Sequence, residues 1–209
     1  MTYDQTATIA QFLDAAAAKR PTPGGGAVTA LAGALAAAMG EMVVNYSLGK
    51  KGLEEFQDEL QPALRELNTA RQVLLRLMEE DQAAYAALAE ARKLPEGSPE
   101  RTKRFPEALR ASIAAPQAMA ATGVAILGVC ERIINFVNYH LLSDLAVAAD
   151  LAMATTRCAI YSVRVNLPDI SDPGERQEIE STVGQVLIHA AMLIQQVAPR
   201  IWSRHGEGP

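Results

Sequence analysis

From about Ala27 to Leu48 the chain consists almost wholly of small and apolar residues. Ala30, Ala34 and Ala38 recur at four-residue spacing, and Ala32, Ala36 and Gly40 do so on an offset row. Small side chains at that spacing share a helix face and let another backbone approach closely. Such a segment is either a helix buried in a bundle or a membrane span. Glu41 and Asn45 interrupt it, and alanine and glycine are weakly apolar beside the Leu, Ile and Phe of true spans. The expectation is a buried helix of an all-α bundle, with no membrane partner.

The rest of the sequence agrees. Ile9, Phe12, Leu13 and Ala16 form a helical stripe near Thr8–Lys19, which Pro21-Thr22-Pro23-Gly24-Gly25-Gly26 breaks. A long helical region covers about Leu53–Lys93, with Pro62 able to start its main part, and the loop Leu94–Pro99 follows. Ser98 can cap the next helix, with Pro99 at its first position and Pro116 as a kink. That helix reaches the Val129 region, and a short segment, Glu131–Leu142, follows. A further helix is expected over roughly Ser143–Ser162, with Ser143 or Asp144 as a possible N-cap, and Ser162–Leu167 alternates as an extended stretch would. Asp172-Pro173-Gly174-Glu175 reads as the start of the last helix, with an N-cap, a first-position proline and a capping glutamate. With 209 residues, 49% of them hydrophobic, the expectation is a single domain over 1–209, an irregular multi-helix bundle of about six to eight helices.

A net charge of −5 without a long basic stripe excludes a nucleic-acid partner as the natural reading. Cys130 and Cys158 sit in apolar segments and read as reduced core thiols of a cytoplasmic protein. No metal-type spacing joins the cysteines to the three scattered histidines, so no metal is assigned.

Asp81 is the residue most out of place. It continues the stripe Leu74, Met78, Asp81, Tyr85, Leu88, whereas Glu79 and Glu80 fall off it. A carboxylate facing the interior is costly unless it is paired or hydrogen-bonded, and so marks either a functional group or a cap for a neighbouring helix. A second polar group runs from Asn135 to Asp144. If that segment is helical, His140 and Asp144 share a face. Gly24, Gly25 and Gly26 ahead of a helix could present backbone N–H groups to an anion or simply make a tight turn for close packing. Lys50 and Lys51 either complement a helix dipole or anchor a carboxylate-bearing ligand.

The run Pro21-Thr-Pro-Gly-Gly-Gly-Ala-Val-Thr-Ala-Leu-Ala-Gly-Ala-Leu resembles the cyclodeaminase/cyclohydrolase family of folate enzymes. The likeness continues through Gly49-Lys50-Lys51, Glu80-Asp81-Gln-Ala-Ala-Tyr85, Lys93-Leu94-Pro95, Asn138, Ser143-Asp144-Leu145 and Val163-Arg-Val-Asn166. The resemblance implies an irregular all-α fold, assembled as a homodimer or larger homo-oligomer, that acts on a tetrahydrofolate derivative. It implies hydrolysis of 5,10-methenyltetrahydrofolate to 10-formyltetrahydrofolate by general acid–base catalysis, with no cofactor beyond the substrate. The alternatives are formiminotetrahydrofolate cyclodeamination with ammonia release, or an inactive helical module that binds a folate or a protein. The implied catalytic residues are Asp144, Asp81 and His140. The implied substrate-binding residues are Asn138, Asn166, Ser143, Lys50, Lys51 and the turn Gly24–Gly26. The chain departs from similar proteins at Ala27, at Gly52, and in Val137-Asn138-Tyr139-His140 ahead of the Ser-Asp pair.

Overall fold

The computed structural model describes residues 3–207; the first two and last two residues of the expected domain lie outside the described residues. Six α-helices make one bundle. They are α1 (Ile9–Ala17), α2 (Gly25–Asn45), α3 (Gln57–Lys93), α4 (Pro99–Ile133), α5 (Leu142–Arg164) and α6 (Pro173–Glu207). Short 3-10 turns at Glu54–Phe56, Tyr139–Leu141 and Leu167–Asp169 lead into α3 and α5 and follow α5. No strand occurs among the described residues.

α2 is the axis of the bundle. It packs against α3 on one side and α5 on the other; α4 bridges α3 and α5, and α6 covers α4 and α5. Its glycines explain how α3 comes so close. Gly26, Gly33 and Gly40 stand seven residues apart, and they face Asp81, Leu74 and Leu67 of α3, also seven apart in the reverse direction. The two helices therefore run antiparallel with a common heptad register. A side chain added at Gly40 would meet Leu67 at 3.0 Å, and one at Gly33 would meet the Thr155 methyl of α5 at 2.8 Å. Leu60, Leu67 and Leu74 are fully buried, each contributing about 1.5–3 kcal/mol of transfer free energy. Two of the three glycine notches are thus filled by leucine and the third by a carboxylate.

Several expectations are corrected. α3 begins at Gln57 and runs through Pro62, which interrupts nothing beyond the helix's first turns. Ser162–Leu167 is not extended: α5 continues to Arg164 and a 3-10 turn follows, because Ile160 and Val163 bury the same helical face as the rest of α5. α5 starts at Leu142 after a 3-10 turn, with Leu141 at the cap, so Ser143 and Asp144 lie inside its first turn rather than at its N-cap. There Asp144 still complements the positive end of the helix dipole. Cys130 is buried, and burial pushes its thiol up to about 12, whereas Cys158 is exposed on α5. Other expected starts hold. Ser98 accepts from the N–H of Arg101, and Asp172 accepts from Gly174 at 2.8 Å ahead of α6. The carboxylate of Glu175 is engaged by Arg110 of α4.

α2 and α4 are each long and apolar enough to cross a membrane by length and composition, with 56% of each apolar stretch buried within the bundle. The outer face of α2 remains apolar. Val28 and Leu35 are exposed, flanked by half-buried Leu31, Ala38, Met39 and Met42. α5, which packs on α2, presents Val147, Leu151, Ala154, Cys158 and Tyr161 at helical spacing, with Val165 just past its end, most of them exposed.

Candidate active site

The N-terminal end of α2 opens into a cavity of about 290 Å³. Its floor is Gly24–Gly26; Asp81, Tyr85, Leu88 and Arg92 of α3 form one wall. Pro21 and Thr22, Ser112 of α4, and Ser162, Val165 and Asn166 at the end of α5 complete it. Among the described residues lining the cavity, Asp81 is the only carboxylate and Arg92 the only cation.

Local sequence explains the floor. Gly24 is the N-cap residue of α2 and, having no side chain, leaves the helix N-terminus uncapped from within. The carboxylate of Asp81 takes that place from the neighbouring helix. It sits against the position a Gly26 side chain would occupy, beside the N–H of Ala27, which favours its charged form. The three glycines thus make a tight turn and an anion-binding helix end together, and the anion is the protein's own. Burial pushes the Asp81 carboxyl above the ordinary carboxylate range, opposed in part by the Ala27 N–H. Gln82, next along α3, exchanges hydrogen bonds with the backbone of Tyr3 (2.9 and 2.7 Å), which holds this turn of α3 under the N-terminal segment.

Asn166 lines the same cavity. Its amide donates to the carbonyls of Ser162 (3.0 Å) and Ser112 (3.4 Å), so it ties α5 to α4 at the cavity wall. At the mouth Arg92 forms an ion pair with Asp169, which follows Asn166 in the 3-10 turn, at 2.6 Å. Arg92, Ser112 and Ser162 were not expected as site residues. For Arg92 the signal was present: it stands eleven residues after Asp81, three helical turns on, and extends the same stripe.

The remaining expected residues gather at the other end of α2. Its 21 residues span about 30 Å, so the two groups are separated by most of the molecule. Lys50 and Lys51 are exposed in a turn whose flanking Gly49 and Gly52 have φ of 67° and 87°. Asn138 is buried and bound to backbone. Its N–H donates to Ser47 Oγ (2.8 Å), its amide donates to the Tyr46 carbonyl (3.5 Å), and its side-chain oxygen accepts from the His140 N–H (3.2 Å). Arg204 of α6 braces this segment through the Ile134 and Val137 carbonyls. His140 lies in the 3-10 turn rather than in α5, so the helical i, i+4 relation to Asp144 does not apply. Its ring is exposed and meets Tyr139 edge-on at 5.5 Å. Asp144 is half-buried and Ser143 exposed. Within one chain, then, Gly24–Gly26, Asp81 and Asn166 come together, and Lys50, Lys51, Asn138, His140, Ser143 and Asp144 form a separate group.

Comparisons with known proteins agree with this architecture. The profile described as Formiminotransferase-cyclodeaminase matches residues 8–185. A methenyltetrahydrofolate cyclohydrolase of Methylorubrum extorquens is 30% identical over 201 residues, covering 94% of this chain and 97% of that protein. A formimidoyltransferase-cyclodeaminase of Gallus gallus is 29% identical over 189 residues, of which this chain spans 35% of the length. The crystal structure of formiminotetrahydrofolate cyclodeaminase from Thermotoga maritima superposes with a TM-score of 0.82 at 28% identity, covering 97% of each chain. An all-α bundle whose central helix starts at a triple glycine closed by a carboxylate from the next helix, matched along nearly its whole length by these enzymes, belongs to the formiminotransferase-cyclodeaminase family.

Proposed function

We propose that the protein hydrolyses 5,10-methenyltetrahydrofolate to 10-formyltetrahydrofolate in the cytoplasm, without a cofactor beyond the substrate. The observation that carries this reading is the desolvated carboxylate of Asp81 on the cavity wall. The substrate is a cation whose charge is shared across the amidinium carbon and its two nitrogens. A partly desolvated carboxylate attracts such a cation, and the cation in turn favours the ionised carboxylate. Water must lose a proton as it attacks that carbon, and one nitrogen must gain a proton as the ring opens. Asp81 orients the water and stabilises the cation, Asp144 is the general base, and His140 tunes the site. Asn138, Asn166 and Ser143 bind the pterin and the tetrahedral intermediate, and Lys50 and Lys51 take the carboxylates of the tail.

Those roles need both ends of α2 at one site, and a homodimer supplies them. The exposed apolar residues at helical spacing on α2 and α5, two helices that pack together, suit a second copy. Leu35, 53% exposed, sits at the middle of α2. A two-fold axis crossing α2 there lays the partner's helix antiparallel across this one. The N-terminal cavity of each subunit then faces the C-terminal group of the other, giving two composite sites. The exposed thiol of Cys158 on this face is consistent with a reducing compartment.

The test is turnover of purified protein with methenyl- and formiminotetrahydrofolate, followed by absorbance and by ammonia release. Turnover of the methenyl substrate is expected. Ammonia release from the formimino substrate alone would overturn the proposed reaction, and reduced-folate binding without any turnover would make the chain an inactive binding module.

A further inference from the structure

The wall that α3 gives to the cavity has an ordered polarity. Asp81, Tyr85, Leu88 and Arg92 occupy positions i, i+4, i+7 and i+11, one face of one helix, and all four line the cavity. A carboxylate stands at the inner end, an aromatic and an aliphatic side chain follow, and a guanidinium stands at the mouth. The charged ends are about 16 Å apart along the helix axis at 1.5 Å per residue. Asp81 is fixed by its helix-end contact with α2. Among the described residues the Arg92 side chain pairs with Asp169, the two side chains being 47% and 39% exposed. An ion pair that exposed contributes little, so the guanidinium can exchange one carboxylate for another at small cost. A guanidinium also presents a planar fork that matches a carboxylate in bidentate fashion.

We propose that Arg92 is a substrate-binding residue that receives the carboxylates of an elongated ligand, with Asp169 as the internal carboxylate that occupies it until the ligand arrives. The ligand class this wall fits is cationic at one end, flat and apolar in the middle and anionic at the other. The proposal rests on the folate reading given above and adds to it a direction. The amidinium lies at Asp81, the benzoyl ring passes Tyr85 and Leu88, and the first glutamate reaches Arg92. Further glutamates would extend beyond the mouth.

The experiment compares kcat and KM for methenyltetrahydrofolate with those for the same compound carrying both glutamate carboxylates as amides. Arg92→Gln is expected to raise KM for the carboxylate form about 10-fold with kcat little changed, the scale of a lost charged hydrogen-bond pair. For the diamide, whose KM in the unmodified protein is already raised, Arg92→Gln is expected to change nothing. Arg92→Lys should fall between, since it keeps the charge but loses the fork. Asp169→Asn should lower KM for the carboxylate form by removing the competitor. A KM that rises equally for both substrates in Arg92→Gln, or does not rise for either, overturns the proposal. So does an Asp169→Asn protein whose KM is unchanged or raised. If the unmodified protein turns over neither substrate, the proposed function fails, and binding of 5-formyltetrahydrofolate decides the matter for Arg92. Binding weakened by Arg92→Gln sustains the assignment, and binding that is absent or unweakened ends it. Melting curves of each variant separate lost contacts from lost fold.

Discussion

At the N-terminal end of α2 a half-buried carboxylate from α3 is pressed against a backbone that carries no side chain, and burial holds it above its ordinary pKa. At the C-terminal end, about 30 Å away, two lysines stand in solvent in a glycine-flanked turn, beside an asparagine bound to backbone and an exposed imidazole. Both ends are polar, and the first lines a cavity. The difference shows what a single chain can complete. A desolvated charge needs walls from three helices, and α3, α4 and α5 supply them around Gly24–Gly26. At the other end Lys50, Lys51, His140 and Ser143 are exposed while Asn138 is buried against its own loop, and the proposed dimer is what would give those exposed groups a site.

The largest expected effects fall on the carboxylates. Asp81→Asn should reduce kcat about 10²-fold or more, the scale of general acid–base and electrostatic contributions. The same variant should not lose stability. The folded-state pKa of Asp81 is raised, so its ionised form is a penalty on the fold at neutral pH, and that penalty disappears as pH falls through the raised pKa. The amide keeps an acceptor for the Ala27 N–H. Melting temperature at pH 7 is therefore expected to hold or rise, and the difference from the unmodified protein should shrink on acidification. A variant that unfolds while its folded fraction keeps normal activity would make Asp81 a helix cap and nothing more. Gly26→Ala should reproduce the activity loss, because the added methyl takes the place of the carboxylate. Asp144→Asn should match Asp81→Asn in rate although it lies at the other end. Mixing the two inactive proteins then tests composite sites directly. Random pairing gives heterodimers with one intact site of two, so about a quarter of full activity should return. No recovery would place the whole site within one chain.

The next effect concerns the surface that would join the ends. Leu35→Glu places a charge at the centre of the apolar face and should turn a dimer into monomers, with activity lost and helical content kept. Sedimentation and circular dichroism read the two outcomes separately. A Leu35→Glu protein that stays dimeric assigns the face to something else, with lipid the next candidate given the length and apolarity of α2.

Much of this was legible in the residues. The period of the apolar positions located the long helices, and the stripe through Leu74, Met78 and Leu88 singled out Asp81 as facing inward. The glycine-rich turn pointed to a helix end that could hold an anion. The rest depended on pairing between elements, which a local pattern does not contain. Four-residue spacing drew notice to the alanines, whereas the contact that sets α2 on α3 repeats every seven residues at Gly26, Gly33 and Gly40. Cys158 shares the apolar pattern of a core residue because it lies on a second apolar face of α5, one that the single chain leaves open. Asn138 and Asp81 are both polar residues drawn from one motif set. Only their partners show that the first binds its own loop while the second faces a cavity.

A smaller effect should come from the lysines. Replacing Lys50 and Lys51 by alanine is expected to leave kcat within about 2-fold for a monoglutamate substrate and to remove any preference for longer tails. Added salt should do the same to the unmodified protein by screening exposed charge. Equal KM values for mono- and polyglutamylated substrate in the unmodified protein would confine tail recognition to the N-terminal cavity.

The smallest expected change is at His140, and it sharpens the comparison most finely. Its ring is exposed and edge-on to Tyr139, so within one chain it meets neither Asp81 nor the cavity. Across a dimer it can face the partner's cavity. A neutral imidazole donates and accepts hydrogen bonds from its two nitrogens much as an asparagine amide does, so His140→Asn should keep turnover within about 3-fold. A permanent cation in its place would repel a cationic substrate, so His140→Lys should raise KM for the methenyl form a few-fold where His140→Asn does not. In every variant the rate should fall on acidification, since protonating Asp81 removes the group that holds the substrate's charge. A KM identical in His140→Lys and His140→Asn would take His140 out of the site and leave the C-terminal end of α2 as an anchor for the tail.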